Sequence, residues 1–246
     1  MRFIAHRVFE DRRPVTRLDL LNLTDFHGVE LDVRHDGHGT ALVEHSPLFR
    51  ARRAERRRVL KPLGPTLDYL AAQAGALDVV LLDVKSETSA DLTARHVAGS
   101  DLPFEPLFNC WHATEVQAIR RVLPRARILF TVAPILARKV PRGRYRDLYL
   151  SNSFPFVRSS ARYAPRAGKT NCHNINVKLI STRRLTAVLP RGIDGLCLHR
   201  YFWNEEFADY AEARGLCTAV YGLPSRTHRK MAKIAGRADY AIVRAA

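Results

Sequence analysis

Eight short apolar runs recur along this chain: RFIAHRV (2–8), GVELDV (28–33), LDVVLLDVK (77–85), PLFNCW (106–111), ARILFTVA (126–133), IDGLCLHR (193–200), LCTAVYG (216–222) and ADYAIVR (238–244). DVVLLDV is continuous and apolar, the pattern of a strand covered on both faces. Stretches with helix signals lie between the runs. GPTLDYLAAQAG (64–75) has Pro near its start and Gly at its end; HATEVQAIRRVLP (112–124) offers Thr114 as a cap. NEEFADYAEARG (204–215) offers Asn204 as a cap, and SRTHRKMAKIAG (225–236) ends in Gly. Strands alternating with helices build βαβ units and a parallel sheet. Eight such strands in 246 residues match the size of a (β/α)8 TIM barrel, an α/β fold. A doubly wound open sheet is the competing arrangement, but no glycine-rich phosphate loop follows the first strand. Residues 134–192 break the alternation and read as an insertion after the fifth strand, with DLYLSNSFPF and NINVKLI as strand-like runs inside it. Residues 1–246 then form a single domain.

Lysine and arginine together number 40 against 24 acids, a formal charge of +16. Such a surface attracts polyanions and suits peripheral contact with an anionic membrane surface. No helix-turn-helix or zinc-finger spacing points to nucleic acid. No window approaches the roughly 18 apolar residues of a membrane span. Charge arrives too early at the N-terminus for a secretory signal. Cys110, Cys172, Cys197 and Cys217 are scattered without a CxxC pair, as expected of free thiols in a reducing, cytoplasmic compartment.

In a barrel of this kind, chemistry gathers where strands finish. His6 and Arg7 end the first run, Glu30 and Asp32 the second, Asp83 and Lys85 the third. Residues i and i+2 of a strand face the same side, so each acid pairs in direction with its neighbour two along. Three carboxylates at one mouth repel each other and resist desolvation, and a hard divalent cation relieves both costs. Oxygen donors suit Mg2+ or Ca2+, so Glu30, Asp32 and Asp83 read as metal ligands. For Glu30 and Asp32 a salt-bridge network with Arg7, Arg34 or Lys85 is the competing account; for Asp83 it is a helix cap. His6 and His45, both at ends of strand-like runs, complete a phosphoryl-transfer set with one imidazole to take a proton and one to give it.

AHR after the first strand, GVELDV…DG…LVEH next, and LLDVK on the third strand resemble the glycerophosphodiester phosphodiesterases. LFNCWHATEVQAIRRVLP and ARGLCTAVYG…GRADYAIV extend the resemblance to most of the chain outside 134–192. It implies a (β/α)8 barrel hydrolysing a small phosphodiester such as glycerophosphocholine with a divalent metal. His6 and His45 would be the acid/base pair, Arg7 and Lys85 would contact phosphate, and Glu30, Asp32 and Asp83 would hold the metal. Tyr221 stands where the family commonly has a substrate-side Trp, Val8 where it has Gly, and Asp83 where it has the longer Glu. The family's Pro-Glu-Asn-Thr segment is replaced by RRPVTRLDLL. A phospholipase C- or D-like lyase or transferase fits the same residues; the third reading is an inactive basic barrel that binds anionic partners, against which the two imidazoles argue.

Overall fold

The computed structural model describes residues 1–6, 8, 26–44, 61–72, 77–132, 185–186, 189–200, 203, 205–223 and 235–244. Its strands are β1 (Arg2–His6), β2 (Gly28–His35), β3 (Ala41–Val43), β4 (Val79–Val84), β5 (Glu105–Cys110), β6 (Arg127–Thr131), β7 (Gly195–His199), β8 (Cys217–Leu223) and β9 (Tyr240–Arg244). Helices α1 (Leu63–Ala72), α2 (Glu87–Ala98), α3 (Ala113–Val122) and α4 (Glu205–Glu212) fall between them. Each of the eight apolar runs holds one strand. Around the sheet the order is β1-β9-β8-β7-β6-β5-β4-β2, and a β1–β2 pairing closes the ring. Every pairing in the ring is parallel. This is the (β/α)8 barrel. The insertion expected over 134–192 falls almost wholly outside the described residues, as does most of 225–236.

Period-two alternation divides each strand between two cores. From β2, Val29, Leu31 and Val33 point outward, where Leu63, Leu67 and Leu70 of α1 and Ala90, Ala94 and Val97 of α2 pack with them. From the other parity, Ile4, Val79, Leu81, Leu107, Leu129, Cys197, Ala219 and Ile242 fill the lumen. The barrel is therefore a packed plug below its mouth, not a pore.

Among the described residues β3 is the one strand outside the ring. It runs antiparallel to the end of β2, pairing Val33 with Val43 and His35 with Ala41. The turn between them is tied by Asp36, whose Oδ1 accepts from the backbone amides of His38 (2.7 Å) and Thr40 (3.0 Å).

Two helix starts depart from the sequence reading. α3 is capped at His112, not Thr114: Glu115 reaches back, and its carboxylate accepts from the amides of Trp111 (2.6 Å) and His112 (2.9 Å). α2 was not foreseen at all, because its buried stripe is Ser89, Ala90, Thr93, Ala94 and Val97 rather than Leu or Ile. Its start is nevertheless encoded. Ser86 accepts from the Ser89 amide at 3.1 Å, and Ser89 Oγ accepts from the Ser86 amide at 3.0 Å.

Candidate active site

The site grows out of the lumen-facing parity at the carboxyl ends of the strands. On β2 that parity carries Glu30, Asp32 and Arg34; on β4, Asp83 and then Lys85; on β5, Asn109 and then Trp111; on β7, His199; on β8, Tyr221. Below this layer the lumen is filled by apolar residues, and Arg2, Glu105 and Arg127 pair at its far end. A side chain in the layer leaves the dry core and meets the mouth without a change of strand.

His6, Glu30 and Asp32 come together. One ligand atom from each lies within 4.8 Å of the others, and the His6 Nε2 to Glu30 Oε2 distance is 3.6 Å. Both carboxylates are buried and the imidazole is partly open. Two buried acids beside one accessible imidazole fit a hard divalent cation, whose preferred donors are oxygens.

Asp83 stands outside that group. It is level with Asp32 on the neighbouring strand, and its oxygens are engaged by protein donors. Oδ1 accepts from Trp111 Nε1 (2.8 Å) and Asn109 Nδ2 (3.0 Å), and Oδ2 accepts from the Lys85 ammonium. Asn109 is oriented in turn by Thr131, whose hydroxyl donates to its Oδ1 at 3.0 Å. Lys85 also lies 2.5 Å from Asp32 Oδ1. The competing account, a salt bridge to Lys85, is thus realised for Asp32, and Lys85 pairs with Asp83 as well. Glu30 faces His6, and its charge also bears on Lys85.

Charge at the mouth follows from this packing. Burial raises the Asp83 pKa and the Asp32 charge adds to it, while Lys85 pulls the other way. Burial works against the Lys85 ammonium, yet Asp32, Asp83 and Glu30 outweigh it and hold its pKa above the ordinary value. Desolvation lowers the Arg34 pKa against the pull of Asp32, Asp83 and Glu44.

From Asp83 onward the wall of the mouth is aromatic. The Trp111 and Tyr221 rings meet edge to face at 6.3 Å, and His199 meets Tyr221 the same way at 5.0 Å. Lys85 Nζ is 5.5 Å from the Trp111 ring centre. Trp111 and Asn109 are the members that sequence reasoning did not single out. Their signal was available: both fall on the parity of Leu107, at the end of a run already read as a strand.

His45 and Arg7 lie outside the described residues. The hairpin does turn the chain back: the Glu44 amide donates to the Asp32 carbonyl at 2.9 Å, one residue before His45.

No family model matches the chain, and no curated protein matches it by sequence. Solved structures match over nearly its whole length. An Oleispira antarctica phosphodiesterase in complex with the product sn-glycerol 3-phosphate gives a TM-score of 0.62 at 14% identity, covering 99% of this chain and 92% of its own. The fold is shared with phosphodiesterases. A glycerophosphodiester phosphodiesterase from Parabacteroides distasonis gives 0.58 at 12%, covering 98% and 92%. One from Agrobacterium tumefaciens gives 0.54 at 15%, covering 99% and 94%. Among the described residues no helix is long and apolar enough to cross a membrane.

Proposed function

We propose that this chain is a metal-dependent phosphodiesterase acting on a small glycerophosphodiester-like substrate. The observation that carries the reading is the meeting of His6, Glu30 and Asp32 at a barrel mouth that also holds Lys85. In this reading Glu30 and Asp32 hold Mg2+ or Ca2+, because hard cations take carboxylate oxygens before imidazole nitrogen. Asp83 serves as the post that orients Lys85; it is one methylene shorter than the Glu common in similar enzymes. A bound divalent cation supplies neutralisation of charge on the phosphate oxygens.

In this reading His6 serves proton transfer, with its ring held beside Glu30. His6 and His45 divide the work: one takes the proton from the attacking hydroxyl as the new P–O bond forms, and the other protonates the departing alcohol oxygen as the old bond breaks. Arg7 and Lys85 hold the phosphate, and Tyr221 lines the side where an esterified alcohol lies. The barrel, insertion included, works as one domain in a reducing compartment; Cys110, Cys197 and Cys217 are free thiols.

The test is hydrolysis of bis(p-nitrophenyl) phosphate and glycerophosphocholine, with and without EDTA, by the wild type, His6→Ala and Glu30→Ala. The expected result is EDTA-sensitive turnover, lowered by about 10²–10⁴ in His6→Ala, the range of a lost general acid or base. Turnover that ignores EDTA, or no turnover with no metal bound in calorimetry, sinks the reading.

A further inference from the structure

His199 is a buried titratable group that the proposed chemistry does not use. It ends β7 on the lumen parity, two residues beyond the lumen-filling Cys197. It pairs in register with Tyr221 across β7 and β8. Its ring lies 5.0 Å from the Tyr221 ring, at 79° to it.

The next residue of β8 closes the other side. Gly222 has φ +77, and a Cβ built on it would fall 2.4 Å from His199 Nε2. Only a glycine backbone can approach the imidazole so closely. Here, too, the β8–β9 ladder loses its regular register, between Val220 and Leu223. Such irregularities beside a site re-aim a side chain. The imidazole is thus clamped between the Tyr221 ring and the Gly222 backbone. Burial, helped by the adjacent Arg200, lowers its pKa to about 4, so it stays neutral near pH 7 and adds no charge to the mouth.

We propose that His199 is a positioning residue, which fixes the Tyr221 ring against Trp111 and so sets the wall where the substrate's alcohol group is received. This rests on the phosphodiesterase reading for its effect on substrate, but not for its effect on Tyr221. It acts through Tyr221 and touches no reacting atom.

Two readouts test it. The first is steady-state kinetics on glycerophosphocholine with His199→Ala, His199→Gln, His199→Phe, Tyr221→Ala and the His199→Ala/Tyr221→Ala double variant. The expected result for His199→Ala and His199→Gln is a KM raised about 2–10-fold, the scale of one aromatic pair, with kcat changed less than about 2-fold. His199→Phe, which keeps a ring against Tyr221, restores KM, and the double variant is no worse than Tyr221→Ala. The second readout is fluorine NMR of protein carrying 3-fluorotyrosine, with the Tyr221 signal assigned by its loss in Tyr221→Phe. That signal broadens or splits in His199→Ala and His199→Gln and sharpens again in His199→Phe. An unmoved Tyr221 signal, additive losses in the double variant, or a fall in kcat at constant KM overturns the proposal. A wild type without turnover overturns the phosphodiesterase reading instead, and the fluorine signal still decides whether His199 holds Tyr221.

Discussion

The Lys85 ammonium lies 2.5 Å from the Asp32 carboxylate while also bonding Asp83, so one cation joins two acids that sit level on adjacent strands. All three groups are nearly dry. Removing one partner of such a cluster leaves like charges facing each other in a low dielectric, a loss of roughly 3–5 kcal/mol. Lys85→Met is expected to lower stability by about that much in urea unfolding with EDTA. Mg2+ or Ca2+ should then stabilise the variant more than the wild type, because the acids accept the replacement charge. An equal response to metal in both proteins would show that Asp32 takes no part in cation binding.

Metal affinity should separate the acids from one another. Glu30 belongs to the close donor group and Asp83 does not. Glu30→Gln is expected to weaken Mg2+ or Ca2+ binding in calorimetric titration by more than about 100-fold, and Asp83→Asn by less, about 10–100-fold, the size of an outer-shell change. Equal losses would return Asp83 to the ligand set.

Glu115 gives a prediction in pH. Burial pushes its carboxyl up to about 7, against the pull of the Trp111 and His112 amides that it accepts from. A carboxyl whose folded pKa exceeds its unfolded value of 4.5 binds a proton more readily in the folded state. Its contribution is therefore most favourable below about pH 4.5 and is lost as pH rises to about 7. Glu115→Gln keeps an acceptor oxygen and removes the titration. The variant should gain on the wild type across that window by roughly 2–3 kcal/mol, read from urea unfolding at pH 5 and pH 8. A constant difference between the two proteins would contradict the raised pKa.

The start of α2 rests on Ser86. Ser86→Ala removes the oxygen that accepts from the Ser89 amide. The expected cost is about 1 kcal/mol in global stability, with faster amide exchange confined to the first turn of α2. An unchanged exchange rate there would assign the helix start to packing alone.

The barrel was legible because its strands are announced twice, by continuous apolar runs and by their spacing. DVVLLDV could hardly be anything but a strand covered on both faces. The acids of the mouth were legible for the same reason, since Glu30, Asp32, Asp83 and Lys85 interrupt those runs at their ends. Pairing between them was not. The sequence places Asp32 and Asp83 at strand ends, but it takes the strand register, side-chain length and the reach of Lys85, Trp111 and Asn109 to decide what each oxygen accepts. Trp111 escaped notice because an aromatic at the end of an apolar run looks like core. α2 escaped because serine, threonine and alanine can bury a helix face against a sheet without producing an apolar stripe. Thr114 lost the cap to His112 because Glu115 supplies the amide acceptor from within the helix.

The alternation along β2 has a consequence for how such a chain can change over time. Val29, Leu31 and Val33 answer to the helices, whereas Glu30, Asp32 and Arg34 answer to the mouth. Neighbours in sequence are thus under unrelated demands. A substitution that retunes what the mouth accepts leaves the outer packing intact, and drift in the outer shell leaves the reacting groups where they were. A chain built this way can therefore change the groups at its mouth and its outer packing separately.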